Sequence, residues 1–419
     1  MGSGEPVNDT AMNGPPDGWR AELSRLQMRP GVTRGVYVHV PYCAARCGYC
    51  DFNTYTPREI DLAASDYAGI AIAEIELTGQ LGGDERIDDE RIDTVFLGGG
   101  TPTLLDPGDV KAIVSRIDSV WGLAGDAEIT IEANPDSVTV ESLARLWDAG
   151  VTRVSFGVQS LAEHVLTTLD RTHTPGRALE AIAAAQQVGF THISVDLIYA
   201  TPGETDEDLT SSARAVLDAG VDHLSAYSLI IEPGTRMAAR VNRGELPAPD
   251  DDVAAHRYEI IDTLARDHGL EWYEVSNWAK PGGECQHNLG YWRGGDWWAI
   301  GPGAHGYLGG EPGVRWWNIK HPRAYAESVN AGRAPVAGWE LIDEPTRILE
   351  SVMLGLRLRE GIDSTLLPAA ADPVVQRYVG EGLLTVGQGR IRLTDAGRLL
   401  ADACVRDLCG AMDGPVDPA

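Results

Sequence analysis

The chain has 419 residues, 43% of them hydrophobic, with 62 acidic against 34 basic side chains and a formal net charge of −28. So acidic a balance excludes nonspecific nucleic-acid binding, which needs a basic surface for phosphate, and no apolar run is long enough to span a bilayer. Six cysteines in a chain of this length do not make a disulfide scaffold, and in a reducing compartment clustered cysteines point to metal binding or catalysis.

Residues 1–33 read as a disordered leader. Met1 to Trp19 is rich in Gly, Pro, Asp and Asn and lacks the basic and apolar regions of a secretory signal, which points to the cytoplasm. Strand-like and helix-like segments then alternate. Short Val/Ile/Phe/Tyr-rich runs predict strands at Gly35–Val40, Asp93–Leu97, Ile129–Ala133, Arg153–Gly157, His192–Tyr199 and His223–Ile230. Amphipathic stretches predict helices at Glu59–Leu77, Pro107–Trp121, Thr139–Ala149, Pro175–Val188 and Glu204–Ala219. Gly150, Gly189 and Gly220 supply helix stops.

This alternation is that of parallel βα units. Ligand-like or glycine-rich residues follow nearly every strand, as in a barrel, where all strand ends gather at one mouth, rather than at the single switch point of a doubly wound sheet. The expected fold is therefore α/β, a partial (β/α)6 barrel with its extension over 34–310. A helix at Asp251–His268 and a strand at Glu271–Ser276 fall in that extension. Beyond it, 320–410 reads as a helical, winged-helix-like module and 411–419 as a tail. The module's predicted elements are helices Pro345–Leu358 and Val374–Gly380, a hairpin of Leu383–Val386 with Arg390–Leu393, and a helix Thr394–Leu408.

The chemistry concentrates at strand ends. Cys43, Cys47 and Cys50 form a Cys-x3-Cys-x2-Cys loop after the first strand. A structural zinc site usually takes four ligands, and no close fourth is present. Three buried thiols within eight residues would be an odd coincidence. A [4Fe–4S] cube takes four thiolates, so three leave one iron open. Gly98, Gly99, Gly100 and Thr101 follow the second strand, and glycines there expose backbone N–H and C=O groups to a ligand. Glu132 ends the third strand and Gln159 the fourth. Asp196 lies inside the apolar run Ile193–Ile198, where a lone charge costs several kcal/mol, so it needs a partner. Arg171 is the obvious one, and a purely structural ion pair stands beside a cofactor role.

The Cys loop resembles the signature of the radical S-adenosylmethionine family. That resemblance implies S-adenosylmethionine chelated to the open iron by its amino and carboxylate groups, with one electron from the cluster breaking its sulfur–C5′ bond. It makes Cys43, Cys47 and Cys50 the cluster ligands. It makes Tyr37, Tyr49, Gly98, Gly99, Gly100, Thr101, Glu132, Gln159, Arg171 and Asp196 the surroundings of the cofactor. The runs Tyr37–Cys43, Asp51-Phe52, Gly98–Thr103, Gly157–Ser160 and Asp196–Tyr199 look like the oxygen-independent coproporphyrinogen III oxidase group. The dehydrogenase of that group has a further cysteine where this chain has Phe52, and a basic N-terminal extension, whereas the leader here is short and not basic. The group's haem-chaperone subfamily carries His-Asn-x-x-Tyr-Trp, matched by His287, Asn288, Tyr291 and Trp292. The resemblance makes these four the haem-binding residues, since imidazole is a common axial ligand and aromatic faces suit a porphyrin. The bland reading of the same residues is a bonded loop histidine beside core aromatics. The implied function is haem transfer to an acceptor protein, with a low-potential electron donor for the cluster. The alternatives are radical decarboxylation of coproporphyrinogen III and a haem-independent radical methylase or mutase.

Overall fold

The computed structural model describes residues 18–26, 29–60, 64–79 and 91–412. Six strands pair in chain order and all in parallel: β1 (Arg34–Val40), β2 (Ile92–Gly99), β3 (Leu123–Ala133), β4 (Arg153–Gln159), β5 (His192–Tyr199) and β6 (His223–Ser228). Beyond β6 lie β7 (Glu271–Glu274) and β8 (Asn277–Ala279), with β8 antiparallel to β6. On the other flank β9 (Asp296–Ile300) runs parallel to β1, followed by antiparallel β10 (His305–Leu308), β11 (Gly313–Asn318) and β12 (Val336–Ile342). The twelve strands form one open sheet whose edges are β12 and β7, so the barrel is partial, as expected.

Side chains alternate across each parallel strand, and the two faces differ in chemistry. Val36, Val38, Val95, Leu97, Ile129, Ile131, Val154, Phe156, Val195 and Leu197 enter the large apolar core. There they meet the outer helices, among them Pro107–Trp121 and Pro175–Val188. The alternate residues, including Phe96, Thr130, Glu132, Ser155, Ser194, Asp196 and Ser225, line a cavity on the concave face. Local signals fix the helix starts: Asp106 accepts from Gly108 N, while Thr139 with Ser142 and Thr205 with Asp208 form capping boxes.

Three expectations are corrected. The leader is ordered in part: Gly18–Leu23 is a helix whose Trp19 is 1% exposed and stacks on Trp316. Residues 1–17 and the tail beyond Met412 lie outside the described residues. Residues 320–342 belong to the barrel sheet rather than the C-terminal module, because β12 pairs with β11 and Trp339 joins the main core. The module proper has its own core of Val352, Leu356, Tyr378, Leu384, Cys404 and Leu408. Its last predicted helix is two, Asp395–Arg398 and Ala401–Met412. No described helix is long and apolar enough to cross a membrane.

The module is pinned to the barrel by Arg398, 9% exposed, whose guanidinium spans both carboxylate oxygens of Asp262 at 3.0 Å. On the opposite flank, Glu74 of helix Ala64–Gly79 is fully buried. It accepts hydrogen bonds from Gly301 N at 2.7 Å, Asn318 Nδ2 at 2.6 Å and Tyr325 Oη at 2.5 Å, tying that helix to β11 and the turn after β9. Three donors converge on two acceptor oxygens, and glutamine would replace one oxygen by a donor. Glu74→Gln should therefore destabilise the fold by about 1–3 kcal/mol, read as a lower urea midpoint at unchanged slope.

Candidate functional site

One cavity, about 310 Å³, opens at the carboxyl ends of the parallel strands. Cys43, Cys47, Cys50 and Tyr49 line it from the loop after β1, and Gly99, Gly100 and Thr101 from the loop after β2. Glu132, Gln159, Arg171 and Asp196 complete the wall. Segments far apart in the chain thus meet at one mouth, as strand order dictates in a parallel barrel.

Backbone hydrogen bonds hold the loops together. Gly100 N donates to Val40 O at 2.8 Å and Thr101 N to Tyr42 O at 2.7 Å, so the glycine loop lies flat against the chain entering the Cys loop. Gly99 has φ +107, open to glycine, and a Cβ on Gly100 would overlap the Tyr42 carbonyl. Gly48 N donates to Leu169 O and Met237 N to Gly48 O, which fixes the middle of the Cys loop. Gln159 and Asp170 adopt the left-handed region at φ +66 and +56. Such strain in non-glycine residues gathers at functional sites.

All six cysteines are free, and the loop trio is buried or half-buried. Thr101 Oγ1 lies 3.9 Å from Cys43 Sγ, and Arg171 Nη1 donates to Cys47 Sγ at 3.4 Å. Burial pushes the Cys43 thiol up to about 11, against a smaller downward pull from Thr101. Among the described residues no three His, Cys, Asp or Glu side chains converge on a point that would hold a single metal ion. The three thiols line the cavity wall, with Cys47 beside a guanidinium whose buried Nε has no partner. Three soft donors, an adjacent cation and an orphaned N–H fit a polynuclear, anionic group better than one zinc ion.

The carboxylates behave as burial dictates. Glu132 accepts from Gly99 N at 2.9 Å, and burial followed by repulsion from Asp196 raises its carboxyl to about 8. Burial raises Asp196 to about 6, against hydrogen bonds from Ser225 and Ser155. The direct Asp196–Arg171 pair expected from the sequence is absent. Asp196 is bonded by the Ser155 hydroxyl at 3.2 Å, while Arg171 turns to Cys47 and the Gly157 carbonyl. Two residues expected at the cofactor stand back from this wall. The Tyr37 hydroxyl bonds His39 Nδ1 at 3.0 Å with its ring stacked on Phe96, and Gly98 is packed between Phe96 and Glu132.

A second cavity of about 470 Å³ adjoins the first and shares Tyr49, Phe52, Glu132, Gln159 and Asp196 with it. Asn288 and Cys285 close its floor. They belong to helix Gln286–Trp292 and its cap, which sit inside the concave face. Glu128 fastens the start of that helix: it takes Arg153 Nε at 3.0 Å, Gln286 N at 3.2 Å and His287 N at 3.1 Å. His287 is 3% exposed, with Nδ1 against Thr94 Oγ1 and Nε2 against Tyr291 Oη, both at 2.8 Å, and its ring on Phe96. Burial lowers its pKa to about 3. Neither ring nitrogen is free in this arrangement, and Trp292 packs among Tyr273, Leu289 and Leu358. The sequence reading missed Glu128 and Arg153; the signal was period-two alternation along β3 and β4, where acid, hydroxyl and base recur at every second position.

An open parallel barrel with three cysteines and a glycine loop at its mouth defines a radical S-adenosylmethionine protein. The Radical SAM superfamily matches residues 37–216, and the HemN C-terminal domain matches 342–400. The chain is 50% identical over 390 residues to Heme chaperone HemW of Mycobacterium tuberculosis, covering 93% of this chain and 98% of that one. It is 33% identical over 380 residues to Heme chaperone HemW of Bacillus subtilis, covering 88% and 97%. The structure of coproporphyrinogen III oxidase (HemN) from Escherichia coli shares the fold, with a TM-score of 0.78 over 94% of this chain and 93% of that one at 22% identity. The chain belongs to the HemW family.

Gly100→Ala should prise the two loops apart. We expect a lower melting temperature and faster maleimide labelling of Cys43, which is 9% exposed in the wild type; unchanged labelling would show that the glycine is dispensable.

Proposed function

We propose that this chain is a haem chaperone. It takes up haem and passes it to an acceptor protein, and it holds a [4Fe–4S] cluster on Cys43, Cys47 and Cys50 with S-adenosylmethionine at the fourth iron. The observation that carries this reading is the 50% identity to a protein named Heme chaperone HemW, which extends through both the barrel and the C-terminal module. The cysteine trio, the flat glycine loop and the orphaned Arg171 Nε support the cofactor part.

When bound, the cluster and S-adenosylmethionine supply reductive cleavage of the cofactor's sulfonium, with the electron from a low-potential donor. The chain's own residues do the rest. Gly99 and Gly100 bring bare backbone to the wall, where the methionine end of the cofactor can lie close. Glu132 and Asp196 offer carboxyls to an amine N–H or a ribose hydroxyl. Thr101, Gln159 and Tyr49 border the same space. Arg171 balances the charge of the thiolates. Free thiols and an open iron call for a reducing compartment, and we place the protein in the cytoplasm.

Anaerobic titration with haem tests the chaperone reading. One equivalent should bind with a Soret band, and reconstituted protein should form no protoporphyrinogen from coproporphyrinogen III; no haem uptake, or turnover of that substrate, would reverse it. Cys43→Ala, Cys47→Ala and Cys50→Ala should each lose reconstituted iron and sulfide.

A further prediction concerns pH. Burial raises the Glu132 carboxyl to about 8, and the positive charge of the sulfonium cofactor in the same cavity favours the carboxylate. Binding then releases a proton, so S-adenosylmethionine should bind more tightly as pH rises through about 8. In Glu132→Gln binding should be weaker and this part of the pH dependence flat; a wild-type slope retained in the variant would remove Glu132 from the site.

A further inference from the structure

One buried polar group beside the cysteine trio has no partner. Thr54 is 2% exposed, and its Oγ1 makes no hydrogen bond. A buried hydroxyl left unpaired is costly, and valine, which has the same branched shape, would fill the position without that cost. A polar atom kept in such a place calls for an acceptor.

The surrounding chain holds Thr54 from both sides. Its N donates to Phe52 O at 2.7 Å, and the Arg46 guanidinium donates to its carbonyl. On one side Asn53 Nδ2 donates to Pro302 O at 3.0 Å and Lys320 O at 2.8 Å, and Asn53 O is bonded to His39 Nε2 at 3.0 Å. On the other side Tyr55 N donates to Pro41 O at 2.7 Å and Cys43 N to Tyr55 O at 3.0 Å. The segment that leaves the Cys loop is thus laid against the chain that enters it, and the hydroxyl is fixed where the two ends of the loop meet. That is a group held ready before its acceptor arrives.

Cys43 opens the loop and Cys50 closes it, and Thr54 stands by both. Burial raises each thiol, and the Thr54 hydroxyl is among the groups that pull each back down. The third thiol, Cys47, has the Arg171 guanidinium at 3.4 Å instead. A neutral thiol is a weak acceptor, whereas a thiolate draws a donor strongly. Hydrogen bonds to the sulfurs are one of the levers on an iron–sulfur potential, because they offset the negative charge that reduction adds.

Given the cluster in the proposed function, we propose that Thr54 is a positioning residue for it. Its hydroxyl donates to the thiolate of Cys43 or Cys50 once these hold iron, and so makes the cluster easier to reduce by one electron from the low-potential donor. Thr54 acts through the ligands and touches no reacting atom.

The test uses the full chain, reconstituted anaerobically with iron and sulfide, and follows reduction of the cluster by EPR as the applied potential is lowered. Thr54→Val should keep the melting temperature of the apo-protein, since it removes a hydroxyl that has no partner there. It should also load as much iron as the wild type. At the midpoint potential of the wild type, the reduced-to-oxidised ratio in Thr54→Val should fall about fivefold, as loss of one hydrogen bond predicts. Thr54→Ser restores the hydroxyl and should bring the ratio back to within about twofold of the wild type. Should Thr54→Val not fold, Thr54→Ala against Thr54→Ser is read in the same way. An unchanged ratio in Thr54→Val, or a loss that serine does not restore, overturns the role of Thr54 and leaves the cluster assignment standing. Wild-type protein that takes up no iron and sulfide overturns both.

Discussion

Alternation along the parallel strands is the constraint on which the molecule rests. On β2 to β6 one face supplies Val, Leu, Ile and Phe to the core beneath the helices, and the other supplies Thr, Ser, Asp, Glu, Arg and His to the concave side. A closed barrel of eight strands fills its centre with branched apolar side chains. Here small hydroxyls stand in their place, and the centre is left as a chamber. Polar groups at that depth must be bonded to one another or held neutral. The wall obeys: Arg153 pairs with Glu128, Ser155 bonds Asp196, and burial raises Glu132 and Asp196 and lowers His287.

The mouth adds a second layer of constraint. The glycine loop reaches the chain before the Cys loop only because no side chain intervenes at Gly100. Gln159, at the end of β4, and Asp170, next to Arg171, both hold left-handed backbone at this mouth. Rigid strands below and hydrogen-bonded loops above give the three thiols a fixed frame, which suits a group bound through several atoms at once.

Much of this was legible in the sequence, for physical reasons. Short β-branched runs separated by capped amphipathic stretches placed all six parallel strands, and His192–Tyr199 matched to the residue. The three cysteines and the glycine run declared themselves by local spacing. What escaped depended on partners distant in sequence. β9 resembles an ordinary Trp-rich run until its pairing with β1 is seen. The Asp196–Arg171 pair was inferred from charge alone, whereas the fold sets Ser155 and Ser225 on neighbouring strands beside Asp196. The short helix Glu163–Thr168 fell below the length at which periodicity speaks. His287 looked available because a histidine in a Gly- and Trp-rich stretch reads as loop. Nothing local reveals that Thr94 and Glu128 draw its helix into the barrel.

The neighbour relation of β9 and β1 has a bearing on how the protein is born. Arg34 emerges early from the ribosome, but its partner Asp296 follows only after most of the barrel has been made. At about 5–20 residues per second the delay is on the order of ten to fifty seconds. Throughout that interval β1, and with it the nascent thiol loop, has one flank bare. Until β9 arrives, the strand that leads into the thiol loop keeps one edge unpaired.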